Sequence, residues 1–288
     1  MRLSNRIAVV IGAGQSPGEG MGNGRATVLR FAQEGAKILA VDCNLASAEE
    51  TAAMVRKGGA GECVAFQADV TREQTLKAVM AAACEHWGRI DILHYNVGIS
   101  ISGGDASLLE ITEEAFDRVA TVNLRGAIMA CKQVLPIMRE QRSGVILMIS
   151  SLAAWEQYPY VAYKATKAGM IAFTQQIAIQ NAEYGIRANV ILPGLMDTPM
   201  AVDTRARMSG KSRAEVGAAR DAKVPLRHRM GTAWDVANAA LFLASDEANF
   251  ITGVALPVDG GAESGEGHST GYDSFGSMLS KKKIFWDL

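Results

Sequence analysis

Tyr163 and Lys167 stand four residues apart at the head of a long helix-forming stretch that follows Pro159. In a helix that spacing stacks them one turn apart on one face. A phenol with an ordinary pKa of about 10 carries protons poorly at neutral pH, and a fixed ammonium beside it favours the phenolate and lowers that value. Ser151, on the preceding segment, would hydrogen-bond the same substrate oxygen that Tyr163 protonates or deprotonates. This set can perform acid-base chemistry on an alcohol or ketone. Tyr160 and Lys164 have the same spacing and compete for the role. Tyr163 is better placed, because its lysine is followed by Ala168, Gly169 and a long apolar helix, whereas Tyr160 sits where a helix only begins. Tyrosines at this spacing also occur simply as packing or capping residues, so the rest of the chain must decide.

The elements that would position these residues alternate. A β-rich run at 6–11 ends in glycine and is followed by helical periodicity at 24–34. Strands are then expected at 37–42, 63–67, 90–95, 145–149, 187–192 and 254–258. Helices are expected between them at 45–57, 73–87, 113–138, 163–184 and around 235–244. Such alternation implies right-handed crossovers and a parallel sheet covered on both faces, a doubly wound α/β architecture of Rossmann type. A single domain is expected over 1–261. Within it, residues 199–225 are polar and charged and fit a lid with a short helix over a ligand site. Residues 262–288 form an extension that ends in KKKIFWDL.

With 288 residues, 49% of them hydrophobic, the chain can bury a sizeable core, and its formal charge of -1 argues against nucleic acid or an anionic membrane as main partner. A small-molecule partner fits better. Cys43, Cys63, Cys84 and Cys131 are scattered, with no metal-ligand spacing to any histidine. They read as reduced thiols of a cytoplasmic protein, with no metal site. The apolar run at 7–11 is too short for a signal segment or a membrane span.

Six glycines, Gly12, Gly14, Gly18, Gly20, Gly22 and Gly24, lie between the first strand and the first helix. Glycine there lets the backbone turn tightly, approach a pyrophosphate and present N–H groups at a helix N-terminus. Asp42 ends the second strand, near the offset of about twenty residues at which an acid binds the adenosine ribose hydroxyls.

These residues together resemble the short-chain dehydrogenase/reductase family, in its short single-domain branch, over roughly residues 5–261. Gly12, Gly22 and Gly24 are similar to the Thr-Gly-x-x-x-Gly-x-Gly loop, with Ile11 in place of the threonine and an insertion between the first and second glycines. Asp69 and Val70 resemble the pair that borders the adenine, and Asn96, Val97 and Gly98 resemble the end of the Asn-Asn-Ala-Gly motif, with Tyr95 replacing its first asparagine. Pro193, Gly194 and Thr198 resemble the turn in which the residue after glycine, here Leu195, and the threonine bind the nicotinamide carboxamide.

The resemblance implies a catalytic set of Asn123, Ser151, Tyr163 and Lys167, with Asn123 holding a water that connects Lys167 to solvent, Lys167 binding the nicotinamide ribose, and Tyr163 also counted among the cofactor-binding residues. Counting back from Tyr163 at the family spacing selects Ser150. Counting forward along the fifth strand selects Ser151, and the strand register is followed because loops absorb deletions more easily than buried strands. The implied activity is hydride transfer between NAD and a secondary alcohol or ketone. A 3-oxoacyl-thioester reductase and a non-catalytic nucleotide-binding regulator are the rivals. Trp155, Tyr158, Tyr160, Leu195, Met196 and Met200 point to an apolar substrate pocket. A homo-oligomer, by resemblance a tetramer, is expected because the apolar residues of the 113–138 helix spread around more than one face.

Overall fold

The computed structural model describes residues 1–59 and 61–263. The extension expected at 262–288, with Ile284, Phe285 and Trp286, lies outside the described residues beyond Glu263. The chain runs through β1 (Ile7–Ile11), α1 (Asn23–Gln33), β2 (Lys37–Asp42), α2 (Leu45–Lys57), β3 (Cys63–Gln67), α3 (Glu73–Trp87) and β4 (Ile92–Tyr95). It continues through α4 (Glu113–Ala120), α5 (Gly126–Gln141), β5 (Gly144–Ile149), α6 (Val161–Asn181), β6 (Ile186–Pro193) and β7 (Met196–Asp197). The last elements are α7 (Thr204–Ser209), α8 (Arg213–Asp221), β8 (Gly231–Thr232), α9 (Ala233–Ala244) and β9 (Ala255–Val258).

Seven strands form one parallel sheet in the order β3-β2-β1-β4-β5-β6-β9. Their runs are almost continuously apolar because both faces are covered. Alternate residues serve opposite faces. Val9, Leu39, Leu93 and Ile146 meet side chains of α3, α5 and α6 on one side. Ala8, Val10, Ile38 and Leu147 meet those of α1, α2 and α9 on the other. The order reverses at β1, which pairs with β2 on one side and with β4 on the other. The carboxyl ends of the strands at such a reversal are the place where sheets of this kind bind ligands. His94 lies within β4, fully buried with both ring nitrogens unpartnered, and burial holds it neutral by pulling its pKa down to about 3.

Several boundaries differ from the sequence expectation for identifiable reasons. The fourth strand starts at Ile92 instead of residue 90, because the Gln141 side chain takes both backbone groups of Ile90. The helix expected over 113–138 is two helices joined by a π-helical turn, Thr121–Arg125, and runs on to Gln141. One extra residue in that turn rotates the downstream apolar stripe by roughly 100°, which accounts for part of its spread around the helix. The helix expected at 163–184 is α6 followed by a 3-10 turn, Ala182–Tyr184. Residues 199–225 hold a π-helical turn (Pro199–Asp203) and two helices, α7 and α8, instead of one short helix. This excursion leaves and returns through the paired strands β7 and β8 and has its own small core of Val202, Val216, Val224 and Met230. Among the described residues, no helix is long and apolar enough to cross a membrane.

Candidate functional site

The site gathers at the carboxyl ends of β1, β4, β5 and β6. Strand β5 ends at Ile149, and the two serines that follow part company. The Ser150 hydroxyl is buried and donates to the Lys167 carbonyl at 2.7 Å, which ties the strand end to α6. Ser151 caps the 3-10 turn Leu152–Ala154, accepting from the Ala153 N–H at 3.2 Å, and its side chain is near enough to the Tyr163 phenol to favour the ionised form. The Lys167 ammonium lies 5.6 Å from the centre of the Tyr163 ring and donates to the Ile149 carbonyl at 2.7 Å and, at 3.4 Å, to that of Val97. Ser151, Tyr163 and Lys167 therefore converge. The competing Lys164 is turned away: its ammonium donates to the carbonyls of Ala153, Ala154 and Glu156, clamping the loop between β5 and α6.

Asn123 is fully buried in the π-helical turn. Its oxygen accepts from the Ile99 N–H at 2.8 Å, and its amide donates to the Ile99 carbonyl at 2.9 Å and to the Thr166 hydroxyl at 3.2 Å. The side chain is thus committed to protein partners that fix the segment after β4. Gly98 lies between Asn123 and Lys167: a Cβ there would stand 3.0 Å from the Lys167 nitrogen and 3.8 Å from the Asn123 oxygen.

The electrostatics correct one expectation. Lys167 was expected to lower the phenol's pKa, yet Tyr163 is pushed up to about 12, mainly by burial, with the Ser151 side chain acting in the opposite direction. Burial alone pulls Lys167 down to about 7. The cause is shared: both groups leave water, and withdrawal from water penalises the charged form of each. The phenol is therefore held protonated, a proton donor, beside an amine that exchanges protons near neutrality.

The glycine loop follows the carboxyl end of β1. Gly12 has φ +84°, its N–H donates to the Val41 carbonyl, and its carbonyl accepts from the Asn96 amide at 3.0 Å. A Cβ on Gly24 would overlap that same carbonyl, so the helix can approach the strand only with glycine there. Gly22 stands at the N-cap of α1 with no side-chain cap, and no acidic residue occupies the first turn. Orphan N–H groups at such a terminus suit a diphosphate. The Asp42 carboxylate accepts from the N–H groups of Gly14 at 2.9 Å and Asn44 at 3.0 Å. These residues fit a dinucleotide.

The remaining sequence candidates lie at or beyond the carboxyl ends of β3 and β6. Asp69 turns back on Thr71, accepting from both its N–H and its hydroxyl, while Val70 is buried against Gly126. Pro193 ends β6, and Gly194 donates to the Val258 carbonyl, too close to Asp259 to carry a side chain. Leu195 packs on the small core of residues 199–225. Thr198 is buried, with its hydroxyl accepting from the Ala201 N–H at 3.3 Å.

Sequence reasoning missed Asp105. Its buried carboxylate accepts from the N–H of Ala162 at 3.0 Å and of Tyr163 at 2.8 Å, and the Ser100 hydroxyl donates to it at 3.2 Å. It caps the helix that carries Tyr163 and Lys167, satisfying donors that Tyr160, at the N-cap position, cannot. No local pattern signals a cap supplied from 57 residues away. Replacing Asp105 with alanine is expected to cost about 1–2 kcal/mol of stability and to lower turnover through misplacement of Tyr163, with Asp105→Asn, which keeps one of the two acceptor oxygens, recovering part of both. Urea denaturation and turnover of the two variants check this, and an alanine variant equal to wild type in both would remove the role. Also unread in the sequence are the contacts between the enlarged glycine loop and residues 199–225. The Glu19 N–H donates to Asp203, Arg207 donates to the Pro17 carbonyl, and Arg213 bridges Asp197 and Asp203.

Comparison with known proteins agrees with this geometry. A family model described as enoyl-(acyl carrier protein) reductase, of the short-chain alcohol dehydrogenase type, matches residues 18–263. The chain is 36% identical over 258 residues to 2-(R)-hydroxypropyl-CoM dehydrogenase of Xanthobacter autotrophicus, covering 89% of this chain and 98% of that protein. It is 35% identical over 266 residues to the 3-oxoacyl-(acyl-carrier-protein) reductase FabG of Thermotoga maritima, covering 91% and 99%. A crystal structure from Burkholderia xenovorans, titled as a short-chain dehydrogenase/reductase, superposes with a TM-score of 0.85 at 40% identity over 91% of this chain and 98% of that one. With this extent of match and a seven-stranded parallel sheet in common, the chain belongs to the short-chain dehydrogenase/reductase family, oxidoreductases that act on CH–OH groups with a nicotinamide cofactor.

Proposed function

We propose that the protein interconverts a secondary alcohol and a ketone with NAD(H), using Tyr163 as general acid and base. The observation that carries this reading is the convergence of Ser151, Tyr163 and Lys167 opposite the glycine cradle. When bound, the nicotinamide supplies or accepts the hydride. Ser151 orients the substrate oxygen, Tyr163 gives it a proton in reduction and takes one in oxidation once it has itself passed its proton on, and Lys167 exchanges that proton with its surroundings. Asn123 fixes the backbone beside Lys167. Gly12, Gly22, Gly24, Asp42, Asp69, Val70, Asn96, Gly98, Pro193, Gly194, Leu195 and Thr198 would hold the dinucleotide. Residues 199–225 serve as the lid.

The choice of NAD over NADP rests on Asp42. A 2′-phosphate would lie beside its carboxylate, and the neighbouring Cys43 and Asn44 bring no countercharge. Two like charges about 4 Å apart cost roughly 1 kcal/mol in water and about 4 kcal/mol at an effective dielectric of 20. The expected specificity constant for NAD exceeds that for NADP by about tenfold or more, and Asp42→Ser should narrow the gap. Equal constants for the two cofactors in the unaltered protein would refute the assignment.

The second reading, a 3-oxoacyl-thioester reductase, is favoured by the similarity to FabG. Turnover of a 3-oxoacyl thioester set against simple ketones separates the two. Assembly into a homotetramer fits the exposed Leu108, Leu109 and Phe116 around the start of α4, and light scattering measures it.

A further inference from the structure

The lid carries an excess of positive charge in a chain that is otherwise close to neutral. Between 199 and 225 stand six basic residues, Arg205, Arg207, Lys211, Arg213, Arg220 and Lys223, against three acidic ones. Two of the six have internal work: Arg207 holds the glycine loop, and Arg213 pairs with Asp197 and Asp203. Arg205 and Arg220 are different. Both are half-buried, and neither lies within ion-pair distance of a carboxylate among the described residues.

Each guanidinium has five N–H donors, and few are used. Arg205 donates to the Ala201 carbonyl at 2.9 Å, and Arg220 donates to the Met230 sulfur, a weak acceptor, at 3.4 Å. Arg220 stands one helical turn after Val216, which belongs to the lid core, so it projects from the inner face of α8. Arg205 precedes Ala206, which packs on that core. The two are close enough for the charge of one to act on the other, and their charges reach the tyrosines. Arg205 acts on the Tyr163 phenol and Arg220 interacts with Tyr158, whose ring lies 5.5 Å from that of Tyr163. Burial and the neighbouring Arg205 pull Arg220 down to about 10, which leaves it cationic at neutral pH. The two acids whose charge acts on Arg220 are engaged elsewhere: Asp197 pairs with Arg213, and Asp221 accepts from the Met230 N–H.

Two half-buried like charges with spare donors, within electrostatic reach of the candidate proton-transfer group and its neighbouring tyrosine, are a costly arrangement for a pocket meant for a neutral alcohol. An anion between them relieves the repulsion and takes charge-assisted hydrogen bonds. We propose that Arg205 and Arg220 are specificity-determining residues and that the substrate is a hydroxy or keto compound carrying an anionic group, a carboxylate, sulfonate or phosphate. This rests on the alcohol/ketone reading above and departs from the apolar pocket expected from Trp155, Tyr158 and Met200.

The test uses the full chain with NAD(H) and hydroxyalkyl compounds of matched length that end in carboxylate, sulfonate, phosphate, methyl or trimethylammonium. Binding is read by calorimetry and turnover by nicotinamide absorbance. At least one anionic series should bind and react with a constant about tenfold or more better than the methyl series, the advantage should shrink with added salt, and the cationic series should be rejected. In Arg205→Gln/Arg220→Gln the advantage should vanish while turnover of the methyl series persists. The double lysine variant, which keeps both charges and guards against a folding artefact, should retain it. Equal handling of anionic and methyl series by the unaltered protein, or an advantage that survives the glutamine variant, overturns the proposal. Turnover without anion preference would leave the dehydrogenase reading standing, whereas anion binding with no turnover of any series would sink that reading and keep the arginine assignment. Neither binding nor turnover of any series would count against both.

Discussion

Tyr163→Phe is expected to lower kcat by roughly 10²–10⁴-fold, the range of a positioned general acid or base, while leaving the fold and the dinucleotide affinity intact. The ring packs against Tyr158 and below the Lys167 ammonium, and phenylalanine keeps those contacts. What it lacks is the phenol oxygen, the proposed site of proton exchange. Tyr160→Phe is the matched control: Tyr160 stands at the N-cap of α6 with its ring edge-on to Tyr158, 5.5 Å away, and its lysine partner is occupied by loop carbonyls. Its loss should be mild. Steady-state kinetics with fluorescence titration of the cofactor decides between them. A tolerated Tyr163→Phe beside an inactive Tyr160→Phe would place the chemistry on the other pair.

Lys167→Met is expected to abolish turnover and to make the protein more stable. Folding takes the ammonium out of water, which pulls its pKa from 10.5 to about 7. The sign follows from proton counting. Between those values the unfolded chain holds the proton and the native protein does not, so stability rises with pH across that window. Below about pH 7 the full cost of burying the charge is present. At about 1.4 kcal/mol for each pKa unit it amounts to at most about 5 kcal/mol. Methionine removes that cost but leaves the Ile149 and Val97 carbonyls without their donor, which offsets about 1–3 kcal/mol. The net expectation is a gain of about 2 kcal/mol at pH 6 that shrinks and reverses by pH 10. Denaturant melts at the two pH values measure it, and a variant destabilised equally at both would show that Lys167 is not held against a burial penalty.

The architecture was legible because parallel strands covered on both faces announce themselves as short apolar runs between amphipathic helices. Val9 and Val10, or Ile38 and Leu39, read as buried whichever face they serve. Boundaries were less legible where side chains from elsewhere intervene, as Gln141 does at Ile90 and Asp105 does at Ala162. The π-helical turn around Asn123 was invisible, since a single inserted residue leaves the composition of a helix unchanged. Within the candidate site, Tyr163, Lys167 and the glycines could be read from type and spacing. The state of Tyr163 could not. Spacing places an ammonium nearby, whereas the sign of the resulting shift depends on how much water both groups lose. The lid arginines looked like ordinary surface charge until the fold showed which of them lacked acidic partners.

The cap on α6 also has a consequence for the order of events in folding. The helix can form from its own sequence within microseconds, but the carboxylate that completes its first turn arrives only when a loop of 57 residues closes. Non-local contacts of this kind form after local ones, because chain entropy is lost before they are gained. Helical ellipticity should therefore return before activity when the protein is refolded from urea with cofactor present. The lag should lengthen in Asp105→Asn, and simultaneous recovery of the two signals would show that the cap docks together with its helix.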